Sequence, residues 1–304
     1  MKDFINISDF TGEQLRSLLE EALADKQAFK AGKLPATLER KTLAMVFEKP
    51  SLRTRVSFEA AMTHLGGHAI YLTNNDIGLG SREAIQDIAR VLGRMCDGIM
   101  ARTFSHEWVE QLGRYAPVPV INALTDYSHP CQAMADLMTV WEHFGNITGK
   151  KLAFVGDGNN VARSLAVACA KLDMKFVIAC PQGYELEESF TSAMPAEAFC
   201  QTNDAAGAVA DADVIYTDTW VSMGQEQEKQ TRIEAFRNFQ VNPELLAAAP
   251  ENAIVLHCLP AYRDYEITDE AFEAHAETIF SEAENRLHFQ RTLLNVLMGK
   301  GGIR

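Results

Sequence analysis

Residues 46–58 read VFEKPSLRTRVSF and combine strand-like and helix-like patterns within one short stretch. An apolar run of β type at 43–47 ends shortly before Pro50. Apolar residues then recur at helical spacing as far as Leu65, and Gly66-Gly67 follows as a stop signal. The pattern predicts a strand, a tight turn and the start of a helix.

The predicted turn has the properties of an anion site. The first amide N–H groups of a helix lack partners within the helix, and the helix dipole makes that end positive. A phosphate can bind there. Ser51 and Thr54 would add hydroxyl donors, and Arg53 and Arg55 would add charges that can fork onto phosphate oxygens. An ordinary capped helix with two solvated arginines is the alternative interpretation of the same residues.

Strand and helix patterns alternate along the rest of the chain. We predict strands at 43–47, 68–72, 98–101, 118–123, 152–155, 176–179, 214–216 and 253–256. This alternation predicts an α/β fold with two doubly wound, mostly parallel sheets, whose ligands bind at the carboxyl ends of the strands. The polar, glycine-flanked segment GNITGK at 145–150 is the predicted domain boundary.

Some segments between these strands have weaker patterns. We expect a polar loop at 73–81, and a helix at 83–96 whose apolar face includes Val91 and Met95. The region 183–212 is poorly patterned, and only two short helices are expected in it, near 185–193 and 204–210. A long helix at about 283–299 ends the predicted order.

The composition limits the class of protein. The chain has 304 residues, of which 47% are hydrophobic, enough for two domains of ordinary size. A net charge of −13 without a basic run argues against a nucleic-acid surface. There is no apolar run of about 18 residues, and the first ten residues lack the apolar core of a signal peptide. The six cysteines form no CxxC pair, so we expect reduced thiols, a cytoplasmic location and no metal site.

Chemically capable side chains lie where predicted strands end. Arg102 ends one strand, and a surface arginine is the simpler interpretation of it alone. His129 and Gln132 lie at a helix start with Pro130 at an early position, and both could donate to a carbonyl oxygen that gains negative charge. A structural cap is the alternative role for His129. Cys258 follows an apolar strand and could be a nucleophile, a proton acceptor or a small core residue.

The segment VGDGNNVA at 155–162 is a glycine-rich turn that opens a helix. It lacks the third glycine of a dinucleotide fingerprint, because position 161 is Val. The next strand ends at Cys180-Pro181 instead of the acidic residue that would hold a ribose. NAD binding is therefore disfavoured, while Asn159 and Asn160 are placed to contact some ligand.

Eight segments, in order along nearly the whole chain, resemble the ornithine carbamoyltransferase family. They are FEKPSLRTRVSFE, MARTF, LTDYSHPCQAMADL, FVGDGNNVARSL, YTDTWVSMGQE, FQVN, HCLPAYR and EAENRLH. Eight motifs in family order are more specific than any one of them. The resemblance implies the carbamoyltransferase fold, with a carbamoyl-phosphate-binding domain at 1–145 and an ornithine-binding domain at 150–285. It also implies that a C-terminal helix at 286–304 packs back on the first domain.

The resemblance further implies roles for individual residues. Those that match the family's carbamoyl phosphate site are Ser51, Leu52, Arg53, Thr54, Arg102, His129, Pro130, Cys131, Gln132, Cys258, Leu259 and Arg286. Those that match its ornithine site are Asn160, Asp218, Ser222 and Met223. Those that match its catalytic residues are Arg102, His129, Gln132 and Cys258. In addition, Trp220 and the Ser-Met-Gly segment would lie on a loop that closes over the amino acid.

The implied reaction transfers the carbamoyl group of carbamoyl phosphate to the side-chain amine of L-ornithine and gives L-citrulline and phosphate. The neutral amine attacks directly, and Arg102, His129 and Thr54 would stabilise the oxyanion of a tetrahedral intermediate. No cofactor or metal is implied. The expected partners are the two small-molecule substrates and further copies of the chain, in a homotrimer or a multiple of trimers. Neither nucleic acid nor membrane is expected.

Two positions of the chain depart from the family pattern. Leu52 stands where many members have Thr, and residues 78–83 read GLGSRE where many have QLGRGE, so the contact of that Gln across a subunit boundary is not expected.

A sister carbamoyltransferase acting on putrescine, an N-acylated ornithine or aspartate would share the first domain. Asn160 and the 218–224 segment favour a free α-amino acid instead. A non-catalytic anion-binding regulator would have no need for His129, Gln132 and Cys258 together.

Overall fold

The computed structural model describes residues 2–78, 82–222 and 224–299. The chain divides into two compact units. The first comprises Met1–Met138 and Asn285–Arg304, and the second comprises Thr139–Glu284. Each unit contains one sheet in which all strand pairs are parallel, so the predicted α/β fold with two parallel sheets is confirmed.

The sheet of the first unit has the strand order β2-β1-β3-β4. Its strands are β1 (Thr42–Phe47), β2 (His68–Thr73), β3 (Gly98–Arg102) and β4 (Val120–Leu124). The last residue of β1, Phe47, is in register with Arg102, the last residue of β3. Because parallel strands share one carboxyl edge, this register places the turn after β1 beside the end of β3.

Most helices of the first unit lie between its strands in the sequence. The helices are α1 (Gly12–Lys30), α2 (Leu52–His64), α3 (Asn74–Ile77), α4 (Ile85–Met95), α5 (His106–Tyr115) and the start of α6 (Pro130–Phe144). Thr11 and Gln14 each accept from the other's backbone N–H, which forms a capping box at the start of α1. After α2 the chain turns at Gly66, whose φ of +78° is a conformation that favours glycine.

The sheet of the second unit has the strand order β7-β6-β5-β8-β9. Its strands are β5 (Lys151–Val155), β6 (Lys175–Ala179), β7 (Phe199–Thr202), β8 (Val214–Thr217) and β9 (Ile254–His257). Its helices are α7 (Asn160–Lys171), α8 (Glu188–Thr191), α9 (Ala205–Val209), α10 (Lys229–Phe236), α11 (Pro243–Leu246), α12 (Asp269–Ala274) and the start of α13 (Ala276–Met298). Thr217 and His257 are in register at the ends of β8 and β9, so the segments that follow these strands are neighbours.

The last helix, α13, belongs to both units in sequence. Its residues from Asn285 onward lie in the first unit, where Phe289 packs near Phe4 with ring centroids 6.0 Å apart. The predicted return of the C-terminal helix to the first unit is therefore confirmed. The helix begins at Ala276 and not near 283, because Ile279 in its first turns is buried in the apolar core of the second unit.

Three further elements differ from the sequence prediction. Strand β7 was not predicted, because it is a short, half-buried edge strand that pairs only with β6. The expected loop at 73–81 contains α3, where the Asp76 carboxylate accepts from the backbone N–H of Thr73, and residues 79–81 lie outside the described residues. On α4, Val91 and Met95 are exposed although periodicity placed them on the buried face. Among the described helices, none has the length and apolar composition that a membrane crossing requires.

Candidate functional site: an anion turn and a carboxylate–thiol pair

Helix α2 begins at the predicted anion turn. Ser51 is its N-cap, and its hydroxyl accepts from the backbone N–H of Thr54 over 3.3 Å. The first turn of α2 contains no acidic residue that would occupy the positive end of the helix. The side chain of Thr54 is fully buried beneath this turn. The predicted strand, turn and helix start are therefore all present.

Two arginines from distant parts of the chain meet at the hydroxyl of Thr54. Arg286 donates from Nη2 to Thr54 Oγ1 over 2.8 Å, and Arg102 approaches the same oxygen from Nη1 at 3.5 Å. Arg102 is only 6% exposed and Arg286 only 4%. Two buried guanidiniums that converge on one hydroxyl concentrate positive charge and N–H donors at this point, and such donors bind anions well. The geometry therefore suits a negatively charged ligand at the start of α2.

His129 and Gln132 lie at the start of α6, and both are buried. Burial lowers the pKa of His129 well below its usual value, and the neighbouring charges of Arg286 and Arg102 lower the pKa further. The imidazole is therefore neutral at neutral pH and can donate one hydrogen bond. Gln132 is oriented by Asp136, whose carboxylate accepts from the Gln132 amide over 2.7 Å.

Pro130 and Cys131 open the same helix, but the thiol of Cys131 is used within the first unit. It donates to the backbone carbonyl of Asn122 at 3.4 Å. Burial raises the pKa of Cys131 to about 12, so this residue stays a thiol. Any contact of Cys131 with a ligand is thus expected from its backbone. Pro130, at the first helical position, likewise offers only a carbonyl and ring carbons.

The structure separates the arginines of the anion turn. The Nε group of Arg55 donates to Glu59 over 2.9 Å, and its guanidinium lies 4.0 Å from the centre of the Tyr71 ring. Arg55 therefore belongs to the exposed face of α2, whereas Arg53 is half-buried. Leu52 has 74% of its side chain exposed, so any contribution from this position to anion binding comes from its backbone N–H.

Sequence reasoning missed Lys49, which lies directly before Pro50. Its ammonium is almost fully buried, forms an ion pair with Asp126 and lies 4.0 Å from the centre of the Phe104 ring. A lysine beside a proline is usually solvated, but this one is buried near the turn and paired with a carboxylate. The available signal was its place between an apolar strand and an anion-binding turn.

In the second unit, the carboxylate of Asp218 collects three donors just after β8. Its Oδ1 accepts from the thiol of Cys258 at 3.0 Å and from the backbone N–H of Thr219 at 2.7 Å. Its Oδ2 accepts from the side-chain amide of Asn159 at 2.7 Å. Asn159 also caps α7, because its own oxygen accepts from the N–H groups of Val161 and Ala162. The predicted Asn160 is the next residue, at the first position of α7.

The segment after β9 is shaped by His257. The Nδ1 atom of His257 accepts from the N–H of Leu259 at 2.9 Å, so its proton is on Nε2, which donates to Glu266 Oε1 at 3.0 Å. Leu259 has a φ of +56°, which is unusual for a residue with a branched side chain, and it precedes a cis peptide bond to Pro260. The imidazole thus holds the backbone on which Cys258 and Leu259 lie.

Ligand atoms of Asp218, His257 and Cys258 lie within 4.8 Å of one another, which is close enough to consider a metal. Adjacent side chains diverge on a strand, but Cys258 lies beyond the end of β9, so His257 and Cys258 can face the same carboxylate. Both nitrogens of His257 already have hydrogen-bond partners, however, and the thiol of Cys258 is already directed at Asp218. This group therefore fits a hydrogen-bonded pair better than a metal centre.

The segment that follows Asp218 is anchored in the second unit at its start. Trp220 is buried, and its ring lies 5.7 Å from that of Phe236 in a stacked arrangement. Arg232 donates to the carbonyl of Trp220 at 3.1 Å. The N–H of Ser222 donates to Gln225 Oε1 at 3.1 Å, and the predicted Met223 lies outside the described residues. The buried Trp220 is thus a fixed base for the segment.

Comparisons with known proteins match the two parts of the chain to two different domains of one family. The carbamoyl-P binding domain of aspartate/ornithine carbamoyltransferase matches residues 2–142, and the Asp/Orn binding domain of the same family matches residues 148–297. The anabolic ornithine carbamoyltransferase of Pyrococcus furiosus is 50% identical over 98% of this chain and 96% of that protein. The ornithine carbamoyltransferase of Methanosarcina mazei is 49% identical over 98% of this chain and 99% of that protein. The solved structure of ornithine carbamoyltransferase from Pyrococcus furiosus has a TM-score of 0.94 at 49% identity and covers all of this chain and 98% of that chain. The chain belongs to the aspartate/ornithine carbamoyltransferase family.

Proposed function

We propose that this chain transfers the carbamoyl group of carbamoyl phosphate to the side-chain amine of L-ornithine and releases L-citrulline and phosphate. One observation carries the phosphate half of the proposal. Arg102 and Arg286 converge on Thr54 at the start of α2, whose first turn has no acidic residue, within the part of the chain that matches a carbamoyl-P binding domain. The names of the relatives described above support ornithine as the acceptor over putrescine or an N-acylated ornithine.

Carbamoyl phosphate is held from two sides in this proposal. Ser51, Leu52, Arg53 and Thr54 bind the phosphate through hydroxyl groups, backbone N–H groups and the Arg53 guanidinium. Arg102, His129 and Gln132 hold the carbamoyl group, with Pro130 and Cys131 contributing backbone, and Arg286 reaches the same ligand at Thr54, on its phosphate side. Since His129 is neutral, it donates to the carbamoyl oxygen without adding a third full charge to the two guanidiniums.

L-Ornithine is held by the second unit. Asn160, Asp218, Ser222 and Met223 bind its α-amino and α-carboxylate groups, and the acidity of Asp218 suits an ammonium. Cys258 and the backbone carbonyl of Leu259 lie at the reacting amine and also contact the carbamoyl group. The shared hydrogen bond between Cys258 and Asp218 gives this pair a route for taking a proton from the amine.

The reaction is a direct acyl-type transfer. The side-chain amine of ornithine has a pKa of about 10.4 in water by analogy with lysine, so it must lose a proton before it attacks the carbamoyl carbon. The attack gives a tetrahedral intermediate whose oxyanion is stabilised by Arg102, His129 and Thr54. The carbon–oxygen bond to phosphate then breaks, the attacking nitrogen gives up its second proton to the leaving phosphate, and the phosphate leaves towards Arg53 and the positive end of α2. The proposed reaction involves no metal, cofactor or covalent enzyme intermediate.

Further proposals concern organisation. We assign residues 1–145 to carbamoyl phosphate binding, residues 150–285 to ornithine binding and residues 286–304 to the returning helix. The chain acts as a homotrimer or a multiple of trimers in the cytoplasm. The exposed apolar side chains Leu52, Val91 and Met95 on the first unit support association with other copies. Light scattering coupled to size-exclusion chromatography tests the trimer, and a monomeric mass would contradict it.

The proposed activity is tested by product formation from carbamoyl phosphate with four separate acceptors: ornithine, putrescine, N-acetylornithine and aspartate. Citrulline from ornithine, without a product from the other three acceptors, is the expected result. Transfer to another acceptor would retain the phosphate half of the proposal and overturn the ornithine half. Absence of transfer to all four would overturn the proposed function while leaving family membership intact.

A further inference from the structure

Arg286 reaches the anion turn from α13, and the residue before it is fixed to the opposite end of the chain. Asn285 is fully buried, and its side-chain oxygen accepts from the ammonium of Lys26 over 2.7 Å. Lys26 belongs to α1 and is itself only 5% exposed. A buried lysine is costly, so its retention calls for a role beyond filling space.

A second set of contacts joins the same two helices further along. The hydroxyl of Thr292 donates to the carboxylate of Asp25 at 2.8 Å. Arg291 is fully buried and donates to the backbone carbonyl of Asp25 at 3.0 Å. Its guanidinium also lies 4.7 Å from the centre of the Phe29 ring. Two adjacent residues of α1, Asp25 and Lys26, therefore hold α13 at points separated by about 10 Å along its axis.

Polar contacts at two heights determine both the height and the rotation of a helix. A slip of α13 by one residue would move it about 1.5 Å and rotate it by about 100°, which would carry the Arg286 guanidinium away from Thr54. An apolar contact between α1 and α13 would oppose such a slip far less, because apolar packing is not directional. Buried polar groups that specify register are an attested use of their cost.

We propose that Lys26 is a positioning residue for Arg286: by holding Asn285, it sets the register of α13 that places the Arg286 guanidinium at the anion turn. Lys26 thereby governs affinity for the phosphate of the substrate without touching it. This inference rests on the proposed function, because it takes Arg286 as a ligand of carbamoyl phosphate. It adds a determinant of phosphate affinity that lies outside the binding turn, on the first helix of the chain.

The test compares Lys26→Met with Lys30→Met, which removes the same charge from an exposed position of the same helix. The dissociation constant of inorganic phosphate is measured by calorimetry on the full-length protein. Lys26→Met should weaken phosphate binding by about tenfold, the equivalent of one hydrogen bond to a charged group. Lys30→Met should remain within about twofold of the wild type, as expected for an exposed charge. Equal affinities in Lys26→Met and the wild type would overturn the inference.

A double-mutant cycle with Arg286→Met separates positioning from general stability. If Lys26 acts through Arg286, then Lys26→Met causes no further loss of phosphate affinity once Arg286 is absent. A purely structural role would instead lower affinity by the same factor in both backgrounds, and that result would contradict the proposal. If Lys26→Met does not fold by circular dichroism, Asn285→Ala replaces it in the cycle, because it removes the acceptor through which Lys26 holds α13.

The same experiment distinguishes failure of the inference from failure of the proposed function. If wild-type protein binds inorganic phosphate, Arg286→Met weakens that binding and Lys26→Met leaves it unchanged, only the inference fails. If Arg286→Met has the affinity of the wild type, Arg286 is not a phosphate-side ligand. The assignment under the proposed function and the inference that depends on it then fail together.

Discussion

The anion turn of the first unit and the Asp218 group of the second unit differ in the sign of their charge. At the turn, the positive charges of Arg102 and Arg286 meet at one neutral hydroxyl, that of Thr54. In the second unit, one carboxylate accepts from neutral donors only, including the thiol of Cys258. The first arrangement suits a negatively charged ligand, and the second suits a positively charged one.

The contrast follows from how each sheet gathers its side chains. In the first unit, the register of Phe47 with Arg102 supplies one arginine, while the other comes from a helix at the far end of the chain. In the second unit, the register of Thr217 with His257 is enough to bring the next residues, Asp218 and Cys258, together. Neighbouring parallel strands can thus build an acidic site alone, whereas the cationic site also depends on a returning helix.

The largest effect is expected from Arg102→Met. Loss of one donor to a developing oxyanion lowers kcat by about 10²–10³-fold in comparable sites. Steady-state citrulline formation with both substrates saturating measures this change. Arg90→Met is the matched control, because Arg90 is exposed and forms an ion pair with Asp87 at 3.2 Å. A kcat within threefold of the wild type for Arg102→Met would remove Arg102 from the chemistry.

Asp218→Asn should break the opposite half of the comparison. The amide cannot offer a charge to the ornithine ammonium, so KM for ornithine should rise by about 10–100-fold, the range for loss of one charged hydrogen bond. KM for carbamoyl phosphate should remain close to that of the wild type. Asp211→Asn is the control, since Asp211 is an exposed carboxylate paired with Lys151. Equal increases in both KM values would show that the two halves are not separate.

Cys258→Ser sharpens the role of the thiol. A serine hydroxyl can still donate to Asp218, so the variant should remain active. We expect its turnover to fall by about tenfold, the equivalent of weakening one hydrogen bond. A covalent nucleophile would instead make the variant inactive. Single-turnover measurement of citrulline distinguishes the two outcomes, and a complete absence of product would refute direct attack by the amine.

The smallest effect concerns the pH dependence of stability and His129. Burial lowers the pKa of His129 in the folded protein, so between that pKa and about 6.5 the unfolded chain binds more protons. The free energy of unfolding should therefore decrease as the pH falls below about 6.5, by at most about 1.4 kcal/mol per pH unit from this group. The lowered pKa values of His64 and His275 act in the same direction.

Urea unfolding at pH 7.5 and pH 5.5 measures this dependence. The His129→Asn variant should lose less stability between the two pH values than the wild type does. His68→Asn, at an exposed position, should behave like the wild type. If His129→Asn and the wild type had the same pH dependence, His129 would not be held neutral by its surroundings.

Local sequence patterns predicted the elements whose form depends on residues close together in the chain. The joint between β1 and α2 was predicted in full, because its strand period, proline, cap and glycine stop all lie within 24 residues, 43–66. The edge strand β7 was not predicted, because a half-polar strand owes its form to pairing with β6. Similarly, the early start of α13 depends on burial of Ile279 in the second core.

The site followed the same division. Arg102 and His129 were identified as strand-end and helix-start candidates from the residues alone. Arg286 carried little weight until family resemblance was considered, because only tertiary structure brings it to Thr54. Lys49 was missed although its place between an apolar strand and the anion turn was a local signal, because its burial against Phe104 is a tertiary contact. Family and ornithine carbamoyltransferase function, predicted from eight segments together, are confirmed by the comparisons.

We propose that the start of α2 binds phosphate, and a comparison of Arg53→Ala with Arg55→Ala tests this most directly. Both arginines belong to one turn, but Arg55 is paired with Glu59 and packed on Tyr71. Calorimetry of inorganic phosphate binding should show a loss of at least about tenfold in Arg53→Ala, as for one charged hydrogen bond, and almost none in Arg55→Ala. Unchanged phosphate affinity in Arg53→Ala, or equal losses in both variants, would contradict the account.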